Sequence, residues 1–270
     1  MDRDSDRDRG RDSGKAGELW LVGAGPGDFE LLTLKAARLI GEAEVLVHDP
    51  RVDAGILALA AAAETIDAAT VRAGDGQPPA AAIHALLVRL ARSGRKGVRL
   101  LEGDPFIFGG GEELEAARRA GISCHVVPGI SAALGCASEA GLPLTHDALS
   151  STVSFVSGTA DELSGQDWKG LAGPGRTLVV YMGVKAAGRI AEKLVADGVS
   201  GDMPVSILER GTLPGARAIR TLLAGLGEIV ADERVRSPAV LVVGSVAGLA
   251  HAEDVIAKSA MRRMPGFGPW

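Results

Sequence analysis

The apolar run Leu19-Trp20-Leu21-Val22 stops against Gly23-Ala24-Gly25-Pro26-Gly27-Asp28. A strand that ends in a glycine-rich turn is how an α/β fold brings its main chain close to a ligand, because glycine has no Cβ and accepts φ > 0. The spacing narrows the kind of ligand. A dinucleotide-binding turn needs G-x-G-x-x-G opening a helix. Here the third glycine comes one residue early and follows a proline. Pro26 fixes φ and removes an N–H, so the loop is stiff and poor in donors. It suits a rigid wall beside a neutral or zwitterionic ligand better than a phosphate cradle.

The rest of the chain repeats the strand-then-helix theme. Runs rich in β-branched and apolar residues predict strands over Glu18–Val22, Val45–His48, Gly97–Leu101, His125–Val127, Thr152–Ser157, Thr177–Tyr181, Pro204–Glu209 and Ala239–Gly244. Apolar residues recur at helical spacing in Ile83, Leu86, Leu87 and Leu90, and again in Val184–Asp197. Leu31–Ile40 reads as another helix, with Thr33 as N-cap and Gly41 as its stop. This alternation predicts an α/β chain with largely parallel sheets and helices on both faces. Small residues from Pro128-Gly129-Ile130 to Gly141-Leu142-Pro143-Leu144 mark a joint. The expected organisation is a disordered tail over 1–17, an α/β domain over 18–140, a second over 141–252 and an extension over 253–270. Two such domains would leave a ligand cleft between them.

Composition excludes several classes. A net charge of −5 over 270 residues and an aromatic content of 3% argue against a nucleic-acid partner. Cys124 and Cys136 make neither a disulfide framework nor a zinc site, and the five histidines lack the spacing of a helical metal site. No metal is expected. The tail mixes Asp, Arg, Ser and Gly without an apolar segment, which is not a secretory signal. The longest apolar run, Ala54–Ala63, is too short to span a bilayer. A cytoplasmic chain with no membrane contact is expected.

Four more stretches occupy strand ends, where ligands of α/β sheets lie. Gly103-Asp104-Pro105-Phe106-Ile107-Phe108-Gly109 follows an apolar strand and precedes a helix beginning near Glu112. Asp104 could accept from ligand hydroxyls or an amine, or could simply close a tight turn. Val127-Pro128-Gly129-Ile130-Ser131-Ala132 could open a helix against a ligand or be an ordinary connection. Met182, in Tyr181-Met182-Gly183, reads as core or contact. Glu209-Arg210, before Gly211-Thr212, reads as site residues or as a solvated pair.

Taken together and in this order, these stretches, with Gly141-Leu142-Pro143-Leu144-Thr145-His146, resemble the tetrapyrrole methylase family, and within it the uroporphyrinogen-III C-methyltransferase branch. The likeness runs from Leu19 to about Leu249. It implies the class III methyltransferase fold, a homodimer, S-adenosyl-L-methionine as cofactor with S-adenosyl-L-homocysteine as product, and a small-molecule tetrapyrrole as substrate. It places cofactor contacts on Pro26, Gly103, Asp104, Ile107, Ser131, Ala132, Met182 and Gly211. Asp49 falls where the family has its proposed proton acceptor, although an aspartate there could also cap the following helix. Arg51, Arg72 and Arg210 are the candidates for meeting the eight carboxylates of uroporphyrinogen.

The chain departs from the family pattern at identifiable places. The lysine proposed as proton donor, which precedes R-A-G, is replaced by Val71 beside Arg72-Ala73-Gly74. The polar segment that follows reads Asp75-Gly76-Gln77-Pro78-Pro79-Ala80-Ala81-Ala82. The double glycine before Asp104 is Glu102-Gly103. Gly109-Gly110-Gly111-Glu112-Glu113 is one residue short and lacks its arginine, and the arginine after Thr145-His146 is Asp147. By the resemblance, the cofactor motifs are mostly kept while the positions that would face the macrocycle lose positive charge. Three readings stay open at this level. One is methylation of uroporphyrinogen III to precorrin-2, for sirohaem or cobalamin synthesis. Another is methylation of a different tetrapyrrole precursor. The third is a weakly active relative that binds S-adenosyl-L-methionine.

Overall fold

A computed structural model describes residues 17–74, 79–159, 163, 165, 167–251 and 253–254. The predicted tail apart from Gly17, the segment 75–78 and nearly all of the predicted extension lie outside the described residues. The chain forms two compact units. One holds the residues up to Ala24 and Thr33–Pro128; the other holds Gly25–Leu32 and the residues from Gly129 onward. The division after Pro128 precedes the boundary expected at 140, so the helix Ala132–Glu139 belongs to the second unit.

The first unit is built on β1 (Leu19–Gly23), β2 (Val45–His48), β3 (Glu64–Asp67), β4 (Gly97–Leu101) and β5 (Cys124–Val127), all parallel, in the order β3-β2-β4-β1-β5. Its helices are α1 (Leu34–Gly41), α2 (Ala54–Ala58), α3 (Pro79–Arg92) and α4 (Gly111–Arg119). β4 is buried along its whole length because β1 and β2 flank it on both edges. Leu19, Val45, Val47, Leu86, Leu87 and Leu90 form the core between sheet and α3. Each such side chain stabilises the fold by roughly 1.5–3 kcal/mol on burial. Thr33 caps α1 as expected, its hydroxyl accepting from the Ala36 N–H at 3.1 Å. That cap moves the helix start from Leu31 to Leu34, because an N-cap residue has extended backbone and Thr33 has ψ 145°. β3 was not expected. It is an edge strand whose Glu64 and Thr65 are exposed, so it lacks the apolar signature.

The second unit carries a sheet in the order β11-β9-β8-β10-β7-β6, with β6 (Ser150–Ser157), β7 (Gly175–Tyr181), β8 (Pro204–Glu209), β9 (Arg217–Leu222), β10 (Ala239–Val243) and β11 (Glu253–Asp254). Only the outer pairs β6/β7 and β9/β11 are parallel; β7/β10, β10/β8 and β8/β9 are antiparallel. The expectation of largely parallel sheets therefore holds for the first unit and fails for the second. The reason is β9, which returns from β8 through a short turn rather than a helix, and whose Arg217 and Arg220 deny it an apolar run. Among the described residues its helices include α5 (Ala132–Glu139), α6 (Ala187–Ala196) and α7 (Leu226–Asp232). Residues 184–186, expected in one helix with α6, form a separate 3₁₀ turn before it. α6 and α7 cross closely at Gly188 and Gly227, where a Cβ on Gly227 would meet Gly188 Cα at 2.8 Å. Trp168, Leu178, Ile190, Leu194 and Leu241 fill the core below.

Candidate functional site

The parallel register of the first unit brings the carboxyl ends of β1, β2 and β4 level, with Gly23 opposite Leu101 and His48 opposite Leu100. Asp49 follows β2 there. Its Oδ1 accepts from Arg99 Nη2 at 2.6 Å and its Oδ2 from the Glu102 N–H at 3.0 Å. Asp49 therefore caps no helix; Asp53 caps α2, accepting from Gly55 N–H. Arg99 is nearly fully buried, and its Nε donates to Glu113 Oε1 on α4 at 3.0 Å. Burial pushes the guanidinium pKa down, but the carboxylates of Glu113 and Asp49 outweigh it and leave the pKa above its ordinary value. Arg99 stays a cation.

Arg51 and Glu102 meet across the same strand ends. Arg51 Nη2 and Nε donate to Glu102 Oε2 at 2.6 and 3.1 Å. Arg72 is exposed and donates to the Ala69 carbonyl at 3.2 Å. Val71 is half-buried and packs against the core of this unit.

The turn after β4 is held from within. Gly103 has φ +66°, a left-handed value that glycine adopts freely. Asp104 Oδ1 accepts from Phe106 N–H at 2.8 Å and its carbonyl from Ile107 N–H at 3.1 Å. Gly110, at the start of α4, has φ +62°, and a Cβ there would meet the Pro105 carbonyl oxygen at 2.6 Å. The closely folded Pro105–Gly110 turn thus requires a glycine where a side chain would clash. Phe106 and Phe108 project outward, about half exposed.

The second unit gathers the other predicted contacts around α5. Gly135 admits Pro26, for a Cβ on Gly135 would meet Pro26 Cγ at 2.5 Å. Gly211 lies on Cys136, since a Cβ there would meet Cys136 Sγ at 2.5 Å. Thr212 ties the arrangement: its N–H donates to Glu139 Oε2 at 2.5 Å and its hydroxyl accepts from Asp28 N–H at 3.4 Å. Ser131, buried at the N-cap of α5, shares a hydroxyl–hydroxyl hydrogen bond with Tyr181, which also accepts from Ala133 N–H at 3.2 Å. Ala132 begins the helix. Met182, the next residue after Tyr181, is half exposed with φ +55°. The structure thus brings Pro26, Ser131, Ala132, Met182 and Gly211 onto one helix and the turns around it. Arg210 donates to the Pro214 carbonyl at 3.1 Å, while Glu209 pairs with Arg217 at 2.5 Å; the two neighbours do not pair with each other.

Phe108, Met182, Arg210 and Thr212, four of the five non-glycine residues with left-handed φ among the described residues, sit in the stretches singled out from sequence. Such strain persists where the surrounding structure over-determines it, as at ligand sites. Sequence reasoning missed Arg99, Glu113, Glu139 and Gly135. Arg99 carried a usable signal: a charge inside the buried run Gly97-Val98-Arg99-Leu100-Leu101 demands a carboxylate partner.

The family model of tetrapyrrole (corrin/porphyrin) methylases matches residues 18–227. The chain is 43% identical over 249 residues to the S-adenosyl-L-methionine-dependent uroporphyrinogen III methyltransferase of Methanosarcina barkeri, covering 90% of this chain and 96% of that one. It is 46% identical over 234 residues to a siroheme synthase of Citrobacter koseri, covering 86% of this chain but 51% of that protein, about half its length. A crystal structure of uroporphyrin-III C-methyltransferase from Thermus thermophilus complexed with S-adenyl homocysteine matches at 39% identity and a TM-score of 0.73, covering 86% of this chain and 94% of that one. Cobalt precorrin-4 methyltransferase, 22% identical with a TM-score of 0.72, shares the fold. With the family model matched over most of its length and a relative 43% identical across 90% of it, the chain belongs to the tetrapyrrole (corrin/porphyrin) methylase family.

Proposed function

We propose that this protein is an S-adenosyl-L-methionine-dependent C-methyltransferase that methylates uroporphyrinogen III to precorrin-2, feeding sirohaem or cobalamin synthesis. The observation that carries this reading is the convergence of Pro26, Ser131, Ala132, Met182 and Gly211 around α5 in a chain of this family. The donor set fits the cofactor. Of the eight proposed contacts, which also include Gly103, Asp104 and Ile107, none is Lys or Arg and only Asp104 is charged. A ligand with ribose hydroxyls, an amino acid head and a sulfonium needs no phosphate clamp, whereas a dinucleotide would.

When bound, S-adenosyl-L-methionine supplies a methyl group activated by its positively charged sulfur. The chain's own residues position and exclude water. Asp104 faces hydroxyls or the ammonium, Met182 and Ile107 provide apolar, polarisable walls, Ser131 and Ala132 are small enough to admit a ligand against the main chain, and Gly211 holds its turn close on Cys136. Asp49, held in one orientation by Arg99 and the Glu102 N–H, is proposed to receive the proton that the macrocycle releases. Arg51, Arg72 and Arg210 are proposed to meet substrate carboxylates. A homodimer in the cytoplasm belongs to the same proposal. No helix among the described residues is long and apolar enough to cross a membrane.

The test is to mix the purified protein with S-adenosyl-L-methionine and enzymatically generated uroporphyrinogen III and to follow precorrin-2 by its oxidised, fluorescent product. Absence of product while S-adenosyl-L-homocysteine still binds by calorimetry would overturn the reading. Asp104→Ala should abolish cofactor binding, and unchanged affinity would refute the site. Size-exclusion chromatography with light scattering tests the dimer.

A further inference from the structure

Glu102 stands where the family pattern has glycine, and the structure gives it a partner. Its carboxylate takes both the Nη2 and the Nε of Arg51 on one oxygen, at 2.6 and 3.1 Å, while its own N–H holds Asp49 Oδ2 at 3.0 Å. The pair is partly open to water, Arg51 being 61% and Glu102 31% exposed. An exposed pair of this kind adds little to stability. Its consequence is electrostatic. Arg51 is a cation exposed at these strand ends, and Glu102 offsets its charge and occupies two of its donors. The other nearby cation, Arg99, is buried and committed to Asp49 and Glu113. Asp104 and Glu112 add further carboxylates on the loop after β4 and in the first turn of α4.

Bidentate guanidinium contacts to carboxylates supply both energy and register, so a fork already held by Glu102 offers less to each additional substrate carboxylate. We infer that Glu102 is a specificity-determining residue: by neutralising Arg51 it lowers the preference of this chain for heavily carboxylated tetrapyrroles relative to acceptors with fewer carboxylates. The inference rests on the methyltransferase reading for its substrate class and is tested by binding, so it stands or falls separately from turnover. A glycine at this position would release Arg51. A glutamine would keep the shape while removing the charge.

The experiment measures fluorescence-monitored binding of two unreactive porphyrins, uroporphyrin III with eight carboxylates and coproporphyrin III with four, to the full chain saturated with S-adenosyl-L-homocysteine. In Glu102→Gln and Glu102→Gly the affinity ratio of uroporphyrin to coproporphyrin should rise roughly tenfold, the effect of one released charge-assisted contact. Adding Arg51→Ala to Glu102→Gln should return the ratio towards that of the unmodified chain. Calorimetric affinity for S-adenosyl-L-homocysteine should not change in the Glu102 variants, which separates charge selectivity from damage to the cofactor loop. An unchanged ratio in both variants, or a gain that survives removal of Arg51, overturns the inference. So does failure of every variant to bind either porphyrin. Loss of turnover with the binding shift intact would instead count against the proposed reaction alone.

Discussion

Arg99 Nη2 reaches Asp49 Oδ1 at 2.6 Å across 50 residues of chain, and the same guanidinium turns its Nε to Glu113 Oε1 at 3.0 Å. One buried cation therefore orients the proposed proton acceptor and pins α4 to the sheet. Glu113 Oε2 is buried with no hydrogen-bond partner, so Arg99 is the main compensation for that carboxylate.

Removing the cation should be costly. Arg99→Met leaves the buried Glu113 and the half-buried Asp49 without their counter-charge, and breaking a buried pair such as Arg99–Glu113 costs about 3–5 kcal/mol. Urea unfolding should show that loss. A triple change in which Asp49 and Glu113 also become apolar should recover most of it, because the uncompensated charges are gone. A loss in Arg99→Met below about 1 kcal/mol would show that the pair behaves as a surface bridge.

The cysteines give a pH dependence. Burial, followed by the nearby carboxylates of Glu113 and Glu139 respectively, pushes the thiols of Cys124 and Cys136 up to about 11. The folded pKa lies above the unfolded value of about 8.5. Stability from the neutral thiols is thus complete below about pH 8.5 and is lost as pH climbs towards 11. Unfolding midpoints should fall across that window more steeply in the unmodified chain than in Cys124→Ala/Cys136→Ala. At pH 7.5 both thiols should react slowly with an aromatic disulfide until the chain is unfolded. Fast reaction in the folded state would contradict the burial of Cys136 and the raised pKa of both thiols.

Gly211→Ala tests the packing around α5. The new Cβ would lie 2.5 Å from Cys136 Sγ, 2.6 Å from its Cβ and 2.9 Å from its Cα. Overpacking of this kind costs about 1–3 kcal/mol, and cofactor affinity should fall with it. Cys136→Ala should not rescue the variant, because an alanine keeps the two carbon atoms that crowd the new methyl group. Full rescue would mean that the sulfur alone sets the approach.

Val71→Lys addresses the altered acid–base position. Val71 lies at the edge of the first unit's core, half-buried, so a lysine there can lay its stem on apolar surface and keep its ammonium in water. Turnover on uroporphyrinogen III should rise about tenfold or more if a proton donor limits the rate. Unchanged turnover would mean that the role is filled elsewhere or not needed.

Much of the architecture was legible because it rests on local patterns. β2, β4 and β8 occur at their predicted limits, since each is a short apolar run bounded by polar or glycine residues. Thr33 capped its helix as expected. What escaped was non-local. β3 and β9 carry charges on their exposed faces, so neither reads as apolar. The antiparallel centre of the second sheet follows from which strands pair, and no window of sequence contains both partners.

The same division runs through the candidate site. By itself the sequence determined the motifs: a proline-stiffened glycine loop, a Gly103-Asp104 turn and small residues at the head of α5, in an order that identified the family. Those are statements about backbone freedom and side-chain size, which are properties of neighbours along the chain. Only the tertiary structure decided how the charges are spent. The sequence offers Arg51 as a substrate contact and Asp49 as proton acceptor or helix cap; only the structure shows Glu102, 51 residues away, on Arg51, and Arg99 and the Glu102 N–H on the two Asp49 oxygens. Coulombic and hydrogen-bonded partners are chosen by distance in space, and the parallel packing of β2 beside β4 created those distances.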